Sequence, residues 1–259
     1  MHIKDLFDLS GRVAIVTGGT GLYGTPLSEA LAEAGAHVVI ASRNRQKCED
    51  WAAALRRRGL QASSESYDQA DEASILAFRD RMLERFGAVD VLVNNSVART
   101  MSRYEDPLDA WRQSMETNAT GLFAISRAFL DSMMARGKGS MIMISSIQGV
   151  VAPDFKNYAG TNMTTPPDYH FHKHGMIGLT KYLAAWAGPR GVRVNAISPG
   201  GLQTEANSIE PFLSQYCRRV FLGRMARHDD IKGAVVFLAS DASAYITGQN
   251  ICVDGGYTV

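Results

Sequence analysis

Short runs of apolar residues, rich in Val and Ile, recur along the chain. They lie at 12–19, 37–42, 89–95, 140–146, 192–198 and 249–256. Each run is too short for a typical helix and too continuous for a strand that has one face in water. The pattern therefore predicts parallel strands that are buried on both faces.

Segments with helical spacing lie between these runs. Apolar residues three and four positions apart occur in 25–34, 46–58, 72–86, 107–136 and 173–188. No repeat, low-complexity stretch or linker divides the chain. Because strands and helices alternate, we expect residues 1–259 to form one α/β domain, a Rossmann-type doubly wound parallel sheet with helices on both faces.

Two polar segments interrupt this alternation. Residues 150–168 are rich in Pro, Thr, Asn and Asp, and residues 200–228 contain one short helical patch. Both follow the C-terminal end of a predicted strand, which is where open α/β sheets bind ligands. These segments are therefore predicted to form the walls of a substrate pocket.

The balance of charges narrows the choice of partners. Lys and Arg number 27 and Asp and Glu 26, and 46% of the residues are hydrophobic. This composition favours neither nucleic acid nor a membrane, so a small-molecule partner is expected. The N-terminus lacks the pattern of a signal peptide, and the three cysteines, Cys48, Cys217 and Cys252, are widely separated and odd in number. Both features are typical of a cytoplasmic protein.

A glycine-rich stretch, "TGGTGLYG" (17–24), follows the first predicted strand and begins the first predicted helix. Gly19, Gly21 and Gly24 have the G-x-G-x-x-G spacing that lets the backbone approach a pyrophosphate at a helix N-terminus. The sequence thus predicts a dinucleotide site, with cofactor contacts from this turn at Gly18, Gly21, Leu22 and Tyr23.

The end of the second predicted strand bears on the choice of cofactor. Ser42, Arg43 and Asn44 stand where NAD-preferring proteins usually have a carboxylate for the ribose 2′-hydroxyl. A guanidinium attracts a 2′-phosphate, so we expect NADP, with NAD as the alternative. Arg43 is also compatible with a solvated charge at a helix entrance. Asp68 and the adjacent Gln69 are further candidate cofactor contacts, although Asp68 also suits a helix cap.

Motifs along nearly the whole chain resemble those of the short-chain dehydrogenase/reductase family. They are TGGTGLYG (17–24), NNS (94–96), Asn118 in TNATG, ISS (144–146), a Tyr-x-x-x-Lys pair, RVNAISPGG (193–201) and YITGQNICVDGGY (245–257). The resemblance implies a catalytic tetrad of Asn118, Ser146, Tyr169 and Lys173. It also implies cofactor contacts from Tyr169 and Lys173 and from other positions: Asn95, Ser96, Pro199, Gly200, Leu202 and Thr204.

Two tyrosines compete for the catalytic position. Tyr158 follows Ser146 by 12 residues, the gap usual in the family, whereas Tyr169 follows it by 23. A free phenol has a pKa near 10 and needs a neighbouring charge to act as a base. Lys173 lies one helical turn after Tyr169, whereas Tyr158 has only the neutral Asn162 at that spacing. We therefore predict Tyr169 as the catalytic residue, with an insertion in 150–168.

The resemblance implies a mechanism. Ser146 would bind the substrate oxygen, Tyr169 would give or take its proton, Lys173 would stabilise the phenolate and hold the nicotinamide ribose, and Asn118 would anchor a water that relays protons. The nicotinamide of the cofactor would supply or accept the hydride. The predicted enzyme is an NADP(H)-dependent oxidoreductase that interconverts a secondary alcohol and a ketone.

The sequence indicates the reaction type more narrowly than the substrate. Polar residues in the two pocket segments suit a sugar acid or polyol: Asp154, Lys156, Asn157, Asn162, Glu205, Asn207 and Gln215. The opening "LFDLSGRVAIVTGG" also resembles gluconate 5-dehydrogenase-like members of the family. A 3-oxoacyl-[acyl-carrier-protein] reductase is the alternative, since a basic patch for an acidic carrier is available from Arg218, Arg219, Arg224 and Arg227. A non-catalytic dinucleotide-binding redox sensor is the alternative from another class.

Two further expectations concern assembly and metals. The helices at 107–136 and 173–188 resemble those that pair subunits in the family, which implies a homotetramer or homodimer. His170, His172 and His174 invite a metal hypothesis, but on a helix His172 points away from the other two, and no third ligand has suitable spacing. No metal site is predicted.

Overall fold

Seven parallel strands form the central sheet in the computed structural model, which describes residues 2–259. Their order in the sheet is β3-β2-β1-β4-β5-β6-β7. The strands are β1 (Val13–Thr17), β2 (His37–Ser42), β3 (Ala62–Ser66), β4 (Val91–Asn94), β5 (Gly139–Ile144), β6 (Val192–Pro199) and β7 (Asn250–Val253).

The sheet reverses its winding direction beside β1. Ile15 of β1 pairs in register with Val39 of β2 on one side and with Leu92 of β4 on the other. Crossovers run outward from β1 in both directions, so a crevice opens between the C-terminal ends of β1 and β4. The predicted Rossmann-type fold is confirmed.

Nine α-helices accompany the sheet within residues 2–259. They are α1 (Ile3–Leu6), α2 (Gly24–Glu33), α3 (Arg45–Arg57), α4 (Glu72–Phe86), α5 (Leu108–Met115), α6 (Gly121–Arg136), α7 (Pro167–Ala187), α8 (Phe212–Arg219) and α9 (Lys232–Ala239). No helix in the described part of the chain is long and apolar enough to cross a membrane.

Two buried clusters cover the two faces of the sheet. One combines residues of α4, α6 and α7, such as Phe78, Phe129 and Leu183, with the strands. The other combines residues of α2, α3 and α9, such as Leu31 and Val235, with the opposite face. Each face therefore has three helices, and the runs that form β1, β2, β4, β5 and β6 are buried on both sides as predicted. The run at 249–256 is an exception, because it forms β7 at the edge of the sheet and is only partly buried.

Two helix predictions need correction. The predicted helix 107–136 is interrupted by one π-helical turn, Glu116–Thr120, between α5 and α6. Helix α7 begins at Pro167, not at residue 173, because proline is well suited to the first helical position. This earlier start brings Tyr169 onto the same helix as Lys173.

A third, smaller cluster lies under the segment 200–228. Phe212 and Tyr216 of α8 pack there with Ile147 and Tyr257. The aromatic rings of Tyr216 and Tyr257 stack with centroids 5.0 Å apart. This cluster fixes α8 above the C-terminal end of the sheet.

Candidate active site

A cavity of about 520 Å³ opens at the C-terminal ends of β1, β4, β5 and β6. Eleven of the predicted site residues line it: Gly18, Gly21, Leu22, Tyr23, Asn95, Ser146, Tyr169, Lys173, Pro199, Gly200 and Leu202. Residues that lie between Asn95 and Leu202 in the sequence thus meet the turn after β1 at one place. Both predicted pocket segments contribute to the wall, through residues 158–166 and 200–225.

The turn after β1 has the shape that a bound phosphate requires. Gly18 has φ 59°, and a Cβ there would lie 2.9 Å from the Cα of Ser96. A Cβ at Gly24 would overlap the carbonyl oxygen of Gly18. Helix α2 begins at Gly24, directly after this turn, and the N-terminus of a helix attracts an anion. The residues present therefore fit a dinucleotide pyrophosphate.

Side chains tie this turn to neighbouring strands. The side-chain amide of Asn95 donates to the carbonyl oxygens of Thr17 and Gly18 at 3.0 and 2.9 Å. The Tyr23 hydroxyl donates to the carbonyl oxygen of Gly200 at 2.8 Å. The turn after β1 is thereby held from the ends of β4 and β6, whereas the Leu22 side chain is exposed.

Ser146 follows β5 and caps a short 3₁₀ helix, Ile147–Gly149. Its Oγ accepts the N–H of Gln148 at 3.2 Å, which leaves the hydroxyl hydrogen free to donate into the cavity. The preceding Ser145 donates its hydroxyl to the carbonyl oxygen of Lys173 at 2.9 Å. The end of β5 is therefore attached directly to α7.

Lys173 completes this attachment. Its Nζ donates to the carbonyl oxygen of Ile144 at 2.7 Å, and only 3% of the residue is exposed. Burial, and to a lesser extent the charge of Arg99, lower the pKa of Lys173 to about 7.

Arg99 is a site residue that the sequence analysis did not identify. Its guanidinium carbon lies 5.2 Å from the centroid of the Tyr169 ring, and Lys173 Nζ lies 5.5 Å from the same centroid. Two cations therefore flank one phenol. The signal available in the sequence was an arginine four residues after the C-terminal end of the predicted strand 89–95, a position where ligand-binding residues concentrate.

Tyr158 lines the same cavity in a different environment. Its hydroxyl accepts a hydrogen bond from Gln148 Nε2 at 3.3 Å, and its ring stacks on Phe212 with centroids 5.6 Å apart. Burial raises the pKa of Tyr158. A phenol in this setting holds its proton and acts as a hydrogen-bonding wall residue.

Asn118 lies behind the cavity, in the π-helical turn. Its Nδ2 donates to the carbonyl oxygen of Ala98 at 2.8 Å and to Ser114 Oγ at 3.0 Å, while its Oδ1 accepts the N–H of Ala98 at 2.8 Å. The amide is thus used mainly to hold the loop after β4. One lone pair of Oδ1 remains for another donor.

The predicted adenosine contacts lie outside the cavity. Arg43 is exposed and forms no ion pair with any of residues 2–259, while Ser42 Oγ lies 3.0 Å from Cys48 Sγ. Asn44 caps α3 by accepting the N–H of Lys47 at 3.0 Å. Arg43 is therefore free to bind an anion beside the end of β2.

Asp68, Gln69, Ser96 and Thr204 have structural partners. Asp68 accepts the N–H of Ala70, and the cap of α4 is Asp71 rather than Asp68. The Gln69 side chain is buried and bonded to Tyr67 and Thr117. The Ser96 N–H donates to Thr17 Oγ1. Thr204 caps a short 3₁₀ helix, Glu205–Asn207.

The polar residues predicted for the substrate mostly serve other purposes. Asn207 lines the cavity, whereas Asp154 pairs with Arg219, and Asn157 donates to the Tyr257 hydroxyl. Gln215 donates to the carbonyl oxygen of Ala159. The polar side chains that face the cavity come instead from other positions: Arg99, Gln148, Tyr158 and Thr165.

The three histidines of α7 do not converge. His172 is buried, and its pKa is lowered to about 3 by burial and by the charge of Lys173. His174 is exposed and contacts the carbonyl oxygen of His170. Within residues 2–259 no group of three His, Cys, Asp or Glu side chains is arranged to hold a metal ion.

Known proteins resemble this chain in sequence and structure over nearly its whole length. Residues 23–258 match the family model described as "Enoyl-(Acyl carrier protein) reductase". Gluconate 5-dehydrogenase of Gluconobacter oxydans is 32% identical over 265 residues, covering 100% of this chain and 99% of that protein. D-threitol dehydrogenase of Mycolicibacterium smegmatis is 36% identical over 259 residues, covering 98% and 95%.

A solved structure agrees closely with the fold. The gluconate 5-dehydrogenase from Burkholderia cenocepacia J2315, in complex with NADP and tartrate, superposes with a TM-score of 0.89. It is 35% identical, and the alignment covers 99% of each chain.

Proposed function

Because the chain belongs to the short-chain dehydrogenase/reductase family, and is therefore an oxidoreductase acting on CH–OH groups, we propose that it is an NADP(H)-linked dehydrogenase of small hydroxy acids, such as sugar acids. The observation that carries this proposal is the position of Arg99. A guanidinium beside Tyr169, in one cavity with Ser146, is suited to hold a substrate carboxylate next to the reacting carbon.

The proposed chemistry assigns one task to each side chain. Ser146 donates its free hydroxyl hydrogen to the substrate oxygen. Tyr169 gives a proton to that oxygen in reduction and removes it in oxidation. Lys173 and Arg99 stabilise the phenolate formed when Tyr169 loses its proton. A nicotinamide cofactor, when bound, supplies or accepts the hydride.

The preference for NADP rests on the end of β2. Ser42 and Arg43 provide a small hydroxyl and an unpaired guanidinium where a carboxylate would repel a 2′-phosphate. The turn at Gly18 and Gly24 holds the pyrophosphate, and Tyr23 keeps that turn close to Gly200. The Burkholderia relative, solved with NADP and tartrate, supports both halves of the proposal, since tartrate carries carboxylates beside hydroxyl groups.

Steady-state oxidation of NADPH with matched substrate pairs tests the proposal. Each pair combines a keto acid with the neutral ketose of the same carbon number, and NADH is assayed in parallel. We expect turnover with at least one keto acid, a preference for it over its neutral partner, and a preference for NADPH. Tight NADPH binding without turnover on any pair would instead favour a redox sensor.

The acyl-carrier alternative has weaker support. Of the four arginines predicted to form a basic patch, Arg219 pairs with Asp154 at 3.0 Å and Arg224 pairs with Asp230 at 2.6 Å. Their charges are largely compensated, which leaves less positive surface for an acidic carrier protein. An assay with a 3-oxoacyl carrier substrate distinguishes this alternative.

We also propose self-association as a homotetramer or homodimer. Large aromatic side chains are exposed on α6 and α7: Phe123, Phe171, Tyr182 and Trp186. Both helices cover the same face of the sheet, and exposed aromatic residues are typical of a protein interface. Light scattering should give a mass of two or four times 28.2 kDa.

A further inference from the structure

Asp168, the residue immediately before Tyr169, is an unusual feature of this site. It is only 2% exposed, and its Oδ1 has no hydrogen-bond partner among the described residues. No basic side chain within residues 2–259 forms an ion pair with it. A buried carboxylate with so few partners disfavours folding, which directs attention to what its single contact does.

That single contact sets the direction of a chain of hydrogen bonds. Ser114 Oγ lies 2.5 Å from Asp168 Oδ2 and donates its only proton to the carboxylate, which can only accept when ionised. Ser114 must then accept from its other neighbour, Asn118 Nδ2, at 3.0 Å. The orientation of the Asn118 amide is thereby determined from Asp168.

The oriented amide holds the loop after β4 at two points. Asn118 accepts the N–H of Ala98 and donates to the carbonyl oxygen of the same residue, both at 2.8 Å. If the amide rotated by half a turn, both contacts would become repulsive. The backbone immediately before Arg99 therefore depends on the direction of these bonds.

The contacts form a closed ring. From Asp168 they pass through Ser114 and Asn118 to Ala98, whose neighbour Arg99 lies over the ring of Tyr169, and Tyr169 follows Asp168 in the chain. We propose that Asp168 is a positioning residue that, through Ser114 and Asn118, holds the Arg99 guanidinium over Tyr169. The kinetic part of this inference rests on the proposed function, in which Arg99 binds a substrate carboxylate.

The first test measures how well the backbone of the loop after β4 is protected from hydrogen exchange, and it needs no substrate. In Asp168→Ala, hydrogen exchange of the peptide spanning 95–101 should become faster, because the Ala98 N–H loses its oriented acceptor. Exchange in β6 should stay unchanged. Asp168→Asn keeps an acceptor for Ser114 and should restore slow exchange. Unchanged exchange at 95–101 in a folded Asp168→Ala protein would overturn the proposal, whether or not a substrate is known.

The second test is kinetic. Asp168→Ala and Ser114→Ala should each lower kcat/KM for a keto acid about tenfold, mainly through KM, with a smaller change for the neutral ketose. The double variant should lose no more than either single variant, since both remove the same linkage. Asp154→Asn is the matched control and should leave the ratio of the two substrates unchanged.

The outcomes separate the two proposals. If the wild-type protein turns over no keto acid, the proposed function fails and the exchange experiment alone decides the role of Asp168. If the wild type is active but losses in the double variant are additive, or equal for charged and neutral substrates, the positioning role is wrong. Should Asp168→Ala not fold, Ser114→Ala carries the same comparisons.

Discussion

Tyr158 and Tyr169 line the same cavity, yet their surroundings differ in nearly every respect. Tyr169 lies in the first turn of the 21-residue helix α7, with Lys173 and Arg99 beside its ring. Tyr158 lies at the end of a four-residue 3₁₀ helix, Phe155–Tyr158, against the neutral Gln148 and Phe212. One phenol therefore has a cationic setting and the other an aromatic and amide setting.

This difference shows which sequence signal carries chemical information. The distance from Ser146 along the chain favours Tyr158, whereas the neighbouring cations favour Tyr169. Loop length changes at little energetic cost, so the spacing between motifs on separate elements is weakly constrained. The four-residue spacing within one helix is set by its geometry, which makes the Tyr-Lys pair the stronger signal.

The largest expected effect separates the two tyrosines. Tyr169→Phe should lower kcat about 10²- to 10⁴-fold, the range for loss of a general acid or base. Tyr158→Phe should cost less than about tenfold, since it removes one neutral hydrogen bond to Gln148. NADPH oxidation assays measure both. The opposite order would move the catalytic role to Tyr158.

Lys173, one helical turn after Tyr169, and Lys156, near Tyr158, give the second comparison. Lys173→Met should lower kcat about 10²-fold or more by removing a cation from Tyr169. Lys156, two residues before Tyr158, is exposed, and Lys156→Met should leave kcat unchanged. Equal losses in the two variants would contradict the assignment.

Lys173 also makes a prediction about stability. Its pKa is lowered to about 7 in the folded protein, so between pH 7 and about 10 the unfolded chain binds a proton that the folded protein does not. The free energy of unfolding of the wild type should therefore rise with pH across this range, relative to Lys173→Met. Urea unfolding of the NADP-free proteins at pH 7, 8 and 9 measures it.

Arg99 gives the third comparison. Arg99→Met should lower kcat/KM for a keto acid by about ten- to a hundredfold, the equivalent of about 1.4 to 2.7 kcal/mol. The loss for the neutral ketose should be smaller, because only the carboxylate loses its counter-charge. Arg103→Met, which removes the same charge from the same loop but from a neighbouring cavity, is the control. Equal losses for both substrates would show that Arg99 acts only through Tyr169.

The fold could be predicted where burial leaves a pattern in the sequence. The apolar runs revealed β1, β2, β4, β5, β6 and β7. Strand β3, with the sequence "ASSES", has no such run because it consists of small and polar residues, which its half-exposed position at one edge of the sheet allows. Helix α9 (KGAVVFLA) was missed because its residues are almost continuously apolar and lack a helical period. The π-helical turn before Gly121 has no recognisable sequence signal.

The site could be predicted where motifs require particular backbone shapes. The glycines of the first turn and the Tyr-Lys pair are local features and were found. Arg99 and Asp168 were missed because their contacts join segments that are distant in the chain. The polar residues of the pocket segments were misjudged since a polar loop uses most of its side chains to bond its own backbone and neighbours.

The smallest expected effect comes from replacing His172. The pKa of this side chain depends on whether water reaches the region around Tyr169. Its pKa is lowered to about 3, chiefly because its ring is buried. Lys173, Arg99 and His170 all oppose its protonation. Below the unfolded pKa of about 6.5, the unfolded chain takes up a proton that the folded protein refuses, so stability falls as the pH drops toward 3.

Replacing this side chain tests the argument. The stability of the wild type relative to His172→Gln should fall between pH 7 and pH 5 by up to about 2 kcal/mol, from about 1.4 kcal/mol per pH unit below 6.5. Urea unfolding at pH 5, 6 and 7 gives the values. A difference between wild type and His172→Gln that is constant with pH would mean that water reaches His172, and the region around Tyr169 would then differ from that of Tyr158 in charge alone.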